Sequence, residues 1–257
     1  MSGSAIVSVI VPCYNHEMYI EKCLLSILNQ TYPAVQLIVI DDGSTDNSFS
    51  IIKSLGDQYG FFYKCQENKG LSATLNYAIS NYAKGDYICC LASDDYWPLN
   101  KLEIQVSFME ANSNYGLSYG QALEFDDVSK GSDLIGKIHR GWIFDKLIKG
   151  NFVPALTILY KRTVFDDVNG YDESLRIEDW DFLLRVSKVH EIAGIDQLLG
   201  YYRRHSLNTM SNYKLIKQQE LKVVSKWKHE APFQVLKRRY SYYLCIFKDK
   251  LRKYLRM

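Results

Sequence analysis

Cys90-Leu91-Ala92-Ser93-Asp94-Asp95-Tyr96-Trp97-Pro98 decides the fold. The apolar run from Tyr87 to Ala92 stops on two adjacent carboxylates, and a proline follows shortly after. A short run that is apolar on both faces and bounded by turn residues is the pattern of a central strand in a parallel sheet. In open α/β sheets ligands bind beyond the carboxyl ends of the strands, so Asp94 and Asp95 fall where a ligand is expected. Two carboxylates on such a turn can converge on a hard divalent cation through oxygen. The plain alternative is a polar turn that starts a helix.

Upstream, Val7 to Pro12 reads as a strand ended by its proline, and Met18 to Gln30 carries Ile20, Cys23, Leu24, Ile27 and Leu28 as a helical stripe. Gln36 to Ile40 is a second strand that stops on Asp41-Asp42-Gly43, after which Ser44, Thr45 or Asp46 can cap a helix running to about Leu55. Phe61 to Cys65 is a third strand and Gly70 to Tyr82 a third helix. Four such units in about a hundred residues predict an α/β fold with a Rossmann-like, mostly parallel central sheet flanked by helices. Beyond the helix at about Leu99 to Ala111 the rhythm becomes mixed. Strands are expected at Gly116 to Leu123 and Leu156 to Tyr160, and helices at Trp142 to Lys149 and Trp180 to Val189. Two helical segments, Ser211 to His229 and Phe233 to Leu255, close the chain with Pro232 as the break between them.

With 47% hydrophobic and 23% charged residues in 257, the chain has the composition of a folded, water-soluble protein. No apolar run approaches the ~18 residues that cross a bilayer. The start of the chain has no basic region or cleavage site before the first strand, which predicts no secretory signal and a cytoplasmic location. Six cysteines show no C-x-x-C spacing and read as small buried hydrophobes. The net charge of +2 conceals an asymmetry: from Lys214 onward there are thirteen Lys or Arg against three acids. The body is therefore acidic and the tail basic.

No G-x-G-x-x-G follows any strand and no G-x-x-x-x-G-K-[ST] exists, so neither a dinucleotide fingerprint nor a P-loop is present. Instead, polar groups stand just after four strands: Pro12-Cys13-Tyr14-Asn15, Asp41 to Asp46, Asn68-Lys69-Gly70 and Ser93-Asp94-Asp95. Each alone is ordinary turn chemistry. Together, on one edge of one sheet, they form a crevice suited to a nucleotide and its phosphates.

Pro12-x-Tyr14-Asn15, Asp41-Asp42-Gly43-Ser44-x-Asp46, Asn68-x-Gly70, Ser93-Asp94-Asp95 with Pro98, Asn169 to Glu173, and Glu178-Asp179-Trp180-Asp181 occur in this order. That series resembles the family 2 glycosyltransferases of the GT-A fold, over about residues 6 to 208. The resemblance implies an inverting enzyme that moves a sugar from a nucleotide-sugar donor, a UDP-sugar here, with Mg²⁺ or Mn²⁺. It implies that Pro12, Tyr14, Asn15, Asp41, Asp42, Asn68 and Gly70 hold the nucleotide, that Asp95 with Asp94 binds the metal and donor sugar, and that Asp179 is the catalytic base. Tyr201-Tyr202-Arg203-Arg204-His205 with Asn208 resembles the family's Y-R-x-H-x-x-N ending, placing His205 on the metal and Arg203 on the diphosphate.

Chemistry supports the same roles. A departing nucleoside diphosphate develops negative charge that a bridging cation neutralises. A carboxylate within hydrogen-bond reach takes the acceptor hydroxyl's proton. One base suffices for inversion, whereas retention by double displacement needs a second, nucleophilic carboxylate. Glu178 and Asp179 alternatively read as simple N-caps of the Trp180 to Val189 helix. Trp97, Trp142 and Trp180 read equally as sugar-stacking faces or core anchors.

Two departures from the family pattern stand out. Ala92 occupies the position of an Asp in many relatives, and Thr74-Leu75-Asn76 that of Ala-Arg-Asn, which removes one donor-side cation. The rival readings are a degenerate sugar-nucleotide-binding or scaffolding domain and a sugar nucleotidyltransferase; the latter wants a Gly-rich basic loop after the first strand, where Pro12 to Asn15 offers none.

The chain divides into a GT-A domain, 1–210, and a basic helical extension, 211–257. In the extension Leu236, Tyr240, Tyr243, Leu244, Phe247, Leu251, Tyr254 and Leu255 recur at helical spacing, with basic residues largely off that stripe. That predicts an amphipathic helix for an anionic membrane surface, with docking on the body or on a second subunit in a homo-oligomer as alternatives. The expected partners are a nucleotide-sugar donor, a saccharide or lipid-linked acceptor of cell-surface polysaccharide synthesis, and the inner face of the membrane. Nucleic acid is not among them.

Overall fold

The computed structural model describes residues 4–126, 132–205 and 213–254. The first half is the expected alternation: β1 (Val7–Cys13), α1 (Ile20–Leu28), β2 (Val35–Asp41), α2 (Ser48–Tyr59), β3 (Phe62–Cys65), α3 (Leu71–Tyr82), β4 (Tyr87–Cys90) and α4 (Lys101–Ala111). The second half is β5 (Tyr115–Phe125), β6 (Ser132–Ile135), β7 (Arg140–Gly141), α5 (Phe144–Leu147), β8 (Leu159–Lys161), α6 (Arg162–Asp167), α7 (Glu178–Val189), β9 (Glu191–Arg203), α8 (Tyr213–Ser225) and α9 (Pro232–Tyr254).

Among the described residues one nine-stranded sheet runs β3-β2-β1-β4-β8-β5-β9-β7, with β6 beside β5. The strands β3, β2, β1 and β4 are parallel. β8 is antiparallel to both β4 and β5, which is where the alternation of the sequence lapses. The chain steps outward from β1 to β3 and then returns to place β4 on the other side of β1. That reversal is a topological switch point, and it opens a crevice between the carboxyl ends of β1 and β4.

Alternate strand residues go to opposite faces, and both faces are covered. Val7, Val9 and Val11 meet Ile20, Leu24 and Ile52 of α1 and α2 in one buried cluster, while Ile10, Ile38 and Ile40 meet Leu75, Ala78 and Ile79 of α3 in the other. Double coverage is why these strands read as unbroken apolar runs.

Several boundaries differ from the sequence reading for identifiable reasons. β1 continues through Pro12 to Cys13. The Ile10 carbonyl accepts from the Leu91 N–H, so the polar groups of Ile10 and, two residues on, Pro12 face β4; the β1–β4 register ends at Ile10 and Cys90, and no ladder bond is lost to the proline. Pro232 is the first residue of α9, where its missing N–H has no intrahelical partner to lose. β9 has no counterpart in the sequence reading. Its alternation is interrupted by Gly194, exposed Asp196 and Gln197, and Gly200, where its register with β5 shifts. Both glycines are dictated by close approach: a Cβ on Gly194 would lie 2.8 Å from the His139 backbone, and one on Gly200 2.6 Å from the Leu156 side chain.

The beginning of the basic extension belongs to the core. α8 places Ile216, Val223 and Val224 among its buried residues, and Val223 and Val224 join the cluster of α3 and α7. Lys226 bridges Asp172 and Asp181, 2.6 Å from each. The 1–210/211–257 boundary and Asn208 lie outside the described residues.

Candidate functional site

The turn after β1 and the turn after β2 are laced together. Asn15, at φ 54°, donates its N–H to Ser44 Oγ (2.9 Å) and accepts the Thr45 N–H on Oδ1 (2.8 Å). Asp46 accepts from Ser48 and Glu17. Asp41 is fully buried; Oδ1 accepts the Ser44 N–H (3.0 Å), while Oδ2 has no hydrogen-bond partner among the described residues. An unpaired buried carboxylate oxygen is costly unless a ligand donates to it. Asp42, expected at the nucleotide, also ties two loops together. Its carboxylate accepts from Gln66 Nε2 (2.8 Å), the Lys69 N–H (2.9 Å) and the Gly70 N–H (2.9 Å), so it holds the Asn68-Lys69-Gly70 loop. Gly43 (φ 79°) permits this, since a Cβ there would sit 2.9 Å from the Asn68 backbone nitrogen. Asn68 and Tyr14 are exposed and Pro12 is buried.

The acidic turn after β4 is clamped by the end of β9. Tyr96 and Tyr201 exchange backbone hydrogen bonds (3.3 and 2.9 Å) and stack with centroids 4.5 Å apart. That bridge brings the Arg203 N–H to Asp95 Oδ1 (2.9 Å), Arg203 Nε to the Asp94 carbonyl (3.0 Å), and His205 Nε2 to Asp94 Oδ2 (2.9 Å). From the turn after β1, His16 shares a 2.7 Å hydrogen bond between Nδ1 and Ser93 Oγ. Ligand atoms of His16, Asp94 and His205 all lie within 4.8 Å of one another.

Two of the expected site residues are engaged by the protein itself. Asp95, expected beside Asp94 on a metal, is not part of the His16, Asp94 and His205 group, and its Oδ1 accepts the Arg203 N–H. Burial, reinforced by the adjacent Asp94, pushes its carboxyl well above the usual range. Arg203, expected on a diphosphate, is buried over the rings of Tyr19 and Phe125, each 4.9 Å from the guanidinium, and contacts the acidic turn through its N–H and Nε. Sequence reasoning passed over His16, whose only signal was its place two residues past an expected strand-end Tyr14. Burial lowers its pKa.

Asp179 lies in the first turn of α7, where Asn151 Nδ2 donates to its Oδ2 (2.9 Å). Burial raises its pKa; burial and then the neighbouring Asp179 raise that of Glu178 to about 8. Asp181 is instead fully buried in the pair with Arg185 and Lys226, a structural anchor of α8. One cavity of about 1270 Å³ is lined by Pro12, Ala92 and Asp95, by Glu178 and Asp179, and by Ile216, Glu220 and Arg238 of α8 and α9. Arg204, ion-paired with Glu124 at 3.0 Å, also lines it. Leu75, in place of a cation, is buried in the core beside it. Trp97 and Trp180 are core anchors whose indole N–H groups donate to Leu156 and Leu147 carbonyls, whereas Trp142 is exposed.

Comparison with solved structures gives the same fold. Staphylococcus aureus TarS 1–349 in complex with UDP-GlcNAc superposes with a TM-score of 0.69 at 20% identity, covering 92% of this chain and 73% of that one. The mannosyltransferase PcManGT of Pyrobaculum calidifontis, in complex with GDP-Man and Mn²⁺, gives 0.69 at 17% identity over 93% of this chain and 70% of that one. These neighbours establish the GT-A architecture. By sequence, the chain is 31% identical over 219 residues to the Escherichia coli UDP-Glc:alpha-D-GlcNAc-diphosphoundecaprenol beta-1,3-glucosyltransferase WfgD, covering 83% of each. It is 30% identical to the putative teichuronic acid biosynthesis glycosyltransferase TuaG of Bacillus subtilis, over 80% of this chain and 82% of that one. Two longer Rickettsia relatives, from R. felis and R. conorii, are matched over only 34% of their length. The model of glycosyl transferase family 2 matches residues 8–168, from the first strand through the switch point and beyond β8, and the chain is a glycosyltransferase of that family.

Proposed function

We propose that this glycosyltransferase moves a sugar from a UDP-sugar to a saccharide on a lipid-linked acceptor, with inversion, in the synthesis of a cell-surface polysaccharide. The observation that carries the reading is the single cavity lined by the acidic turn at Asp95 and by Asp179. WfgD, by its name, uses UDP-Glc and a diphosphoundecaprenol-linked acceptor, which supports both substrate classes.

The donor's nucleoside lies over the turns after β1 and β2, where Asp41 Oδ2 accepts a hydrogen bond from base or ribose and Tyr14 offers an exposed ring. Asp94 and His205 fit a divalent ion, Mg²⁺ or Mn²⁺, because an anionic oxygen and an imidazole nitrogen already stand 2.9 Å apart. Such an ion, when bound, supplies Lewis-acid neutralisation of the leaving diphosphate. Asp179 accepts the proton of the acceptor hydroxyl as it attacks the anomeric carbon from the face opposite the diphosphate. Its raised pKa makes it a better base than a free carboxylate, and Asn151 holds one of its oxygens in place. Glu178, protonated below about pH 8, leaves the single negative charge of the pair on Asp179.

The acceptor's lipid places the enzyme at the inner face of the membrane, and α9 supplies the contact. Phe233, Leu236, Tyr240, Tyr243 and Phe247 form a stripe 55–70% exposed, flanked by exposed Lys237, Arg239 and Lys248. No described helix is long and apolar enough to cross the membrane. The side chains of Leu251, Tyr254 and Leu255 lie outside the described residues.

The test is Asp179→Asn with a panel of UDP-sugars and Mn²⁺. Nucleotide binding measured by calorimetry should be kept and transfer should fall by at least the ~10² that loss of a general base costs. Transfer at the wild-type rate would remove Asp179 from the role.

A further inference from the structure

We infer that His16 is a metal ligand, and that His16, Asp94 and His205 make this site selective for a nitrogen-accepting transition ion such as Mn²⁺ or Co²⁺ over Mg²⁺. The inference rests on the metal-assisted reading above and deepens it by naming a third donor and the class of ion.

The three residues come from three separate parts of the chain: the turn after β1, the turn after β4, and the residues that follow β9. Nothing in local chain geometry requires them to meet; the strand order β2-β1-β4 and the Tyr96–Tyr201 bridge bring them together. Their ligand atoms lie within 4.8 Å of one another, and the His205–Asp94 pair is at 2.9 Å. An ion with bonds of about 2.1 Å sets adjacent donors about 3–3.5 Å apart, so an adjustment of the His16 ring on the scale of an ångström completes the set.

The surroundings of His16 are those of an oriented ligand. Its Nδ1 is engaged by Ser93 Oγ (2.7 Å), its backbone N–H donates to Ser48 Oγ (2.9 Å), and its ring meets those of Tyr19 and His205 edge-on at 5.9 and 5.8 Å. A hydrogen bond on one ring nitrogen orients the ring and leaves the other nitrogen for an ion, the usual outer-shell arrangement of a ligating histidine. Tyr19 stacks on His205 at 5.0 Å and orients the second imidazole.

Donor chemistry then decides the ion. Mg²⁺ keeps to oxygen ligands and near-ideal octahedral geometry, whereas two imidazoles and one carboxylate suit first-row transition ions, with affinity rising from Mn²⁺ to Co²⁺ to Zn²⁺. Three protein donors leave coordination positions for oxygen ligands of a diphosphate.

Pulsed EPR on the full-length chain, stripped of metal and loaded with Mn²⁺ alone or with UDP added, counts imidazole nitrogens directly and needs no activity. Two histidine couplings are expected in the wild type and one in His16→Ala and in His205→Ala. Titration should show His16→Ala binding Mn²⁺ at least ~10–100-fold more weakly, the loss seen even for outer-shell partners, with Mg²⁺ binding changed far less. A single histidine coupling in the wild type, or no bound Mn²⁺ in either mixture, overturns the inference. So does equal loss of Mg²⁺ and Mn²⁺ binding in His16→Ala. The wild-type count stands even if a variant fails to fold. Two couplings in a protein that transfers no sugar would uphold the ligand set while refuting the proposed function; active transfer with one coupling would do the reverse.

Discussion

Glu178→Gln should make the protein more stable at alkaline pH and flatten its stability against pH. In the folded chain Glu178 is buried at the start of α7, and burial followed by the neighbouring Asp179 charge moves its pKa from 4.5 to about 8. The folded state therefore keeps a proton that the unfolded chain releases. For a carboxyl raised in this way, stability is highest at low pH, falls as pH rises from about 4.5 to about 8, and is flat above. Each unit corresponds to about 1.36 kcal/mol, so the full window is worth about 5 kcal/mol, an upper bound because Asp179 competes for the same proton. Between about pH 5.5 and about pH 8 the wild type should lose about 2–3 kcal/mol more than Glu178→Gln, whose amide does not titrate. Urea unfolding of both proteins at the two pH values gives the double difference. Parallel losses, within ~0.5 kcal/mol, would refute the burial argument. The same variant should retain transfer, because the neutral amide mimics the protonated acid that leaves Asp179 charged.

Asp42→Asn should loosen the 66–70 loop and weaken UDP binding in calorimetry, with a stability cost of ~1–3 kcal/mol; an unchanged Kd would show that the loop holds itself. Lys226→Met should cost ~1–3 kcal/mol in urea unfolding, limited because Arg185 still pairs with the buried Asp181; no cost would mean α8 docks by its apolar residues alone. The double change Tyr240→Glu with Phe247→Glu should abolish binding to anionic vesicles and leave the melting temperature unaltered, since both side chains are exposed. Loss of a dimer in light scattering, with vesicle binding retained, would assign the stripe to a second copy instead.

The parallel half was legible because its physics is local. β1, β2 and β4 are covered apolar runs, and each ends on polar turn residues, so Asp41, Asp42 and the Ser93-Asp94-Asp95 turn could be placed on one edge from sequence. The assignment of roles within that edge was not local. Asp42 and Asp94 both follow an apolar strand, yet one carboxylate is held by the Gln66 to Gly70 loop and the other meets His205. His16 becomes meaningful only when the strand order puts β1 beside β4, far away in the chain. Arg203 had the chemistry of a phosphate ligand, and only its position at the end of β9 shows that the guanidinium also meets Tyr19, Phe125 and the Asp94 carbonyl. β9 escaped because a long strand bent by register shifts trades regular alternation for glycines and exposed polar residues.

The basic extension shows where periodicity stops being informative. A helical apolar stripe says that something covers it, not what. In α8 the cover is the core of the glycosyltransferase itself, through Ile216, Val223 and Val224. In α9 the apolar residues divide: Cys245 is buried and Val235 half-buried on one side, while Phe233, Leu236, Tyr240, Tyr243 and Phe247 stand outward on the other. A helix in water gains nothing from a second, uncovered apolar face, so that face needs a partner, and the lysines and arginine beside it favour an anionic one. Arg238 ties this helix back to the site: it pairs with Glu220 at 3.3 Å, donates to the Lys149 carbonyl at 2.9 Å, and lines the same cavity as Asp179. Arg238 lies on the side of α9 away from the exposed stripe, so one face of this helix contributes to the cavity that Asp179 lines while the other is left to a partner.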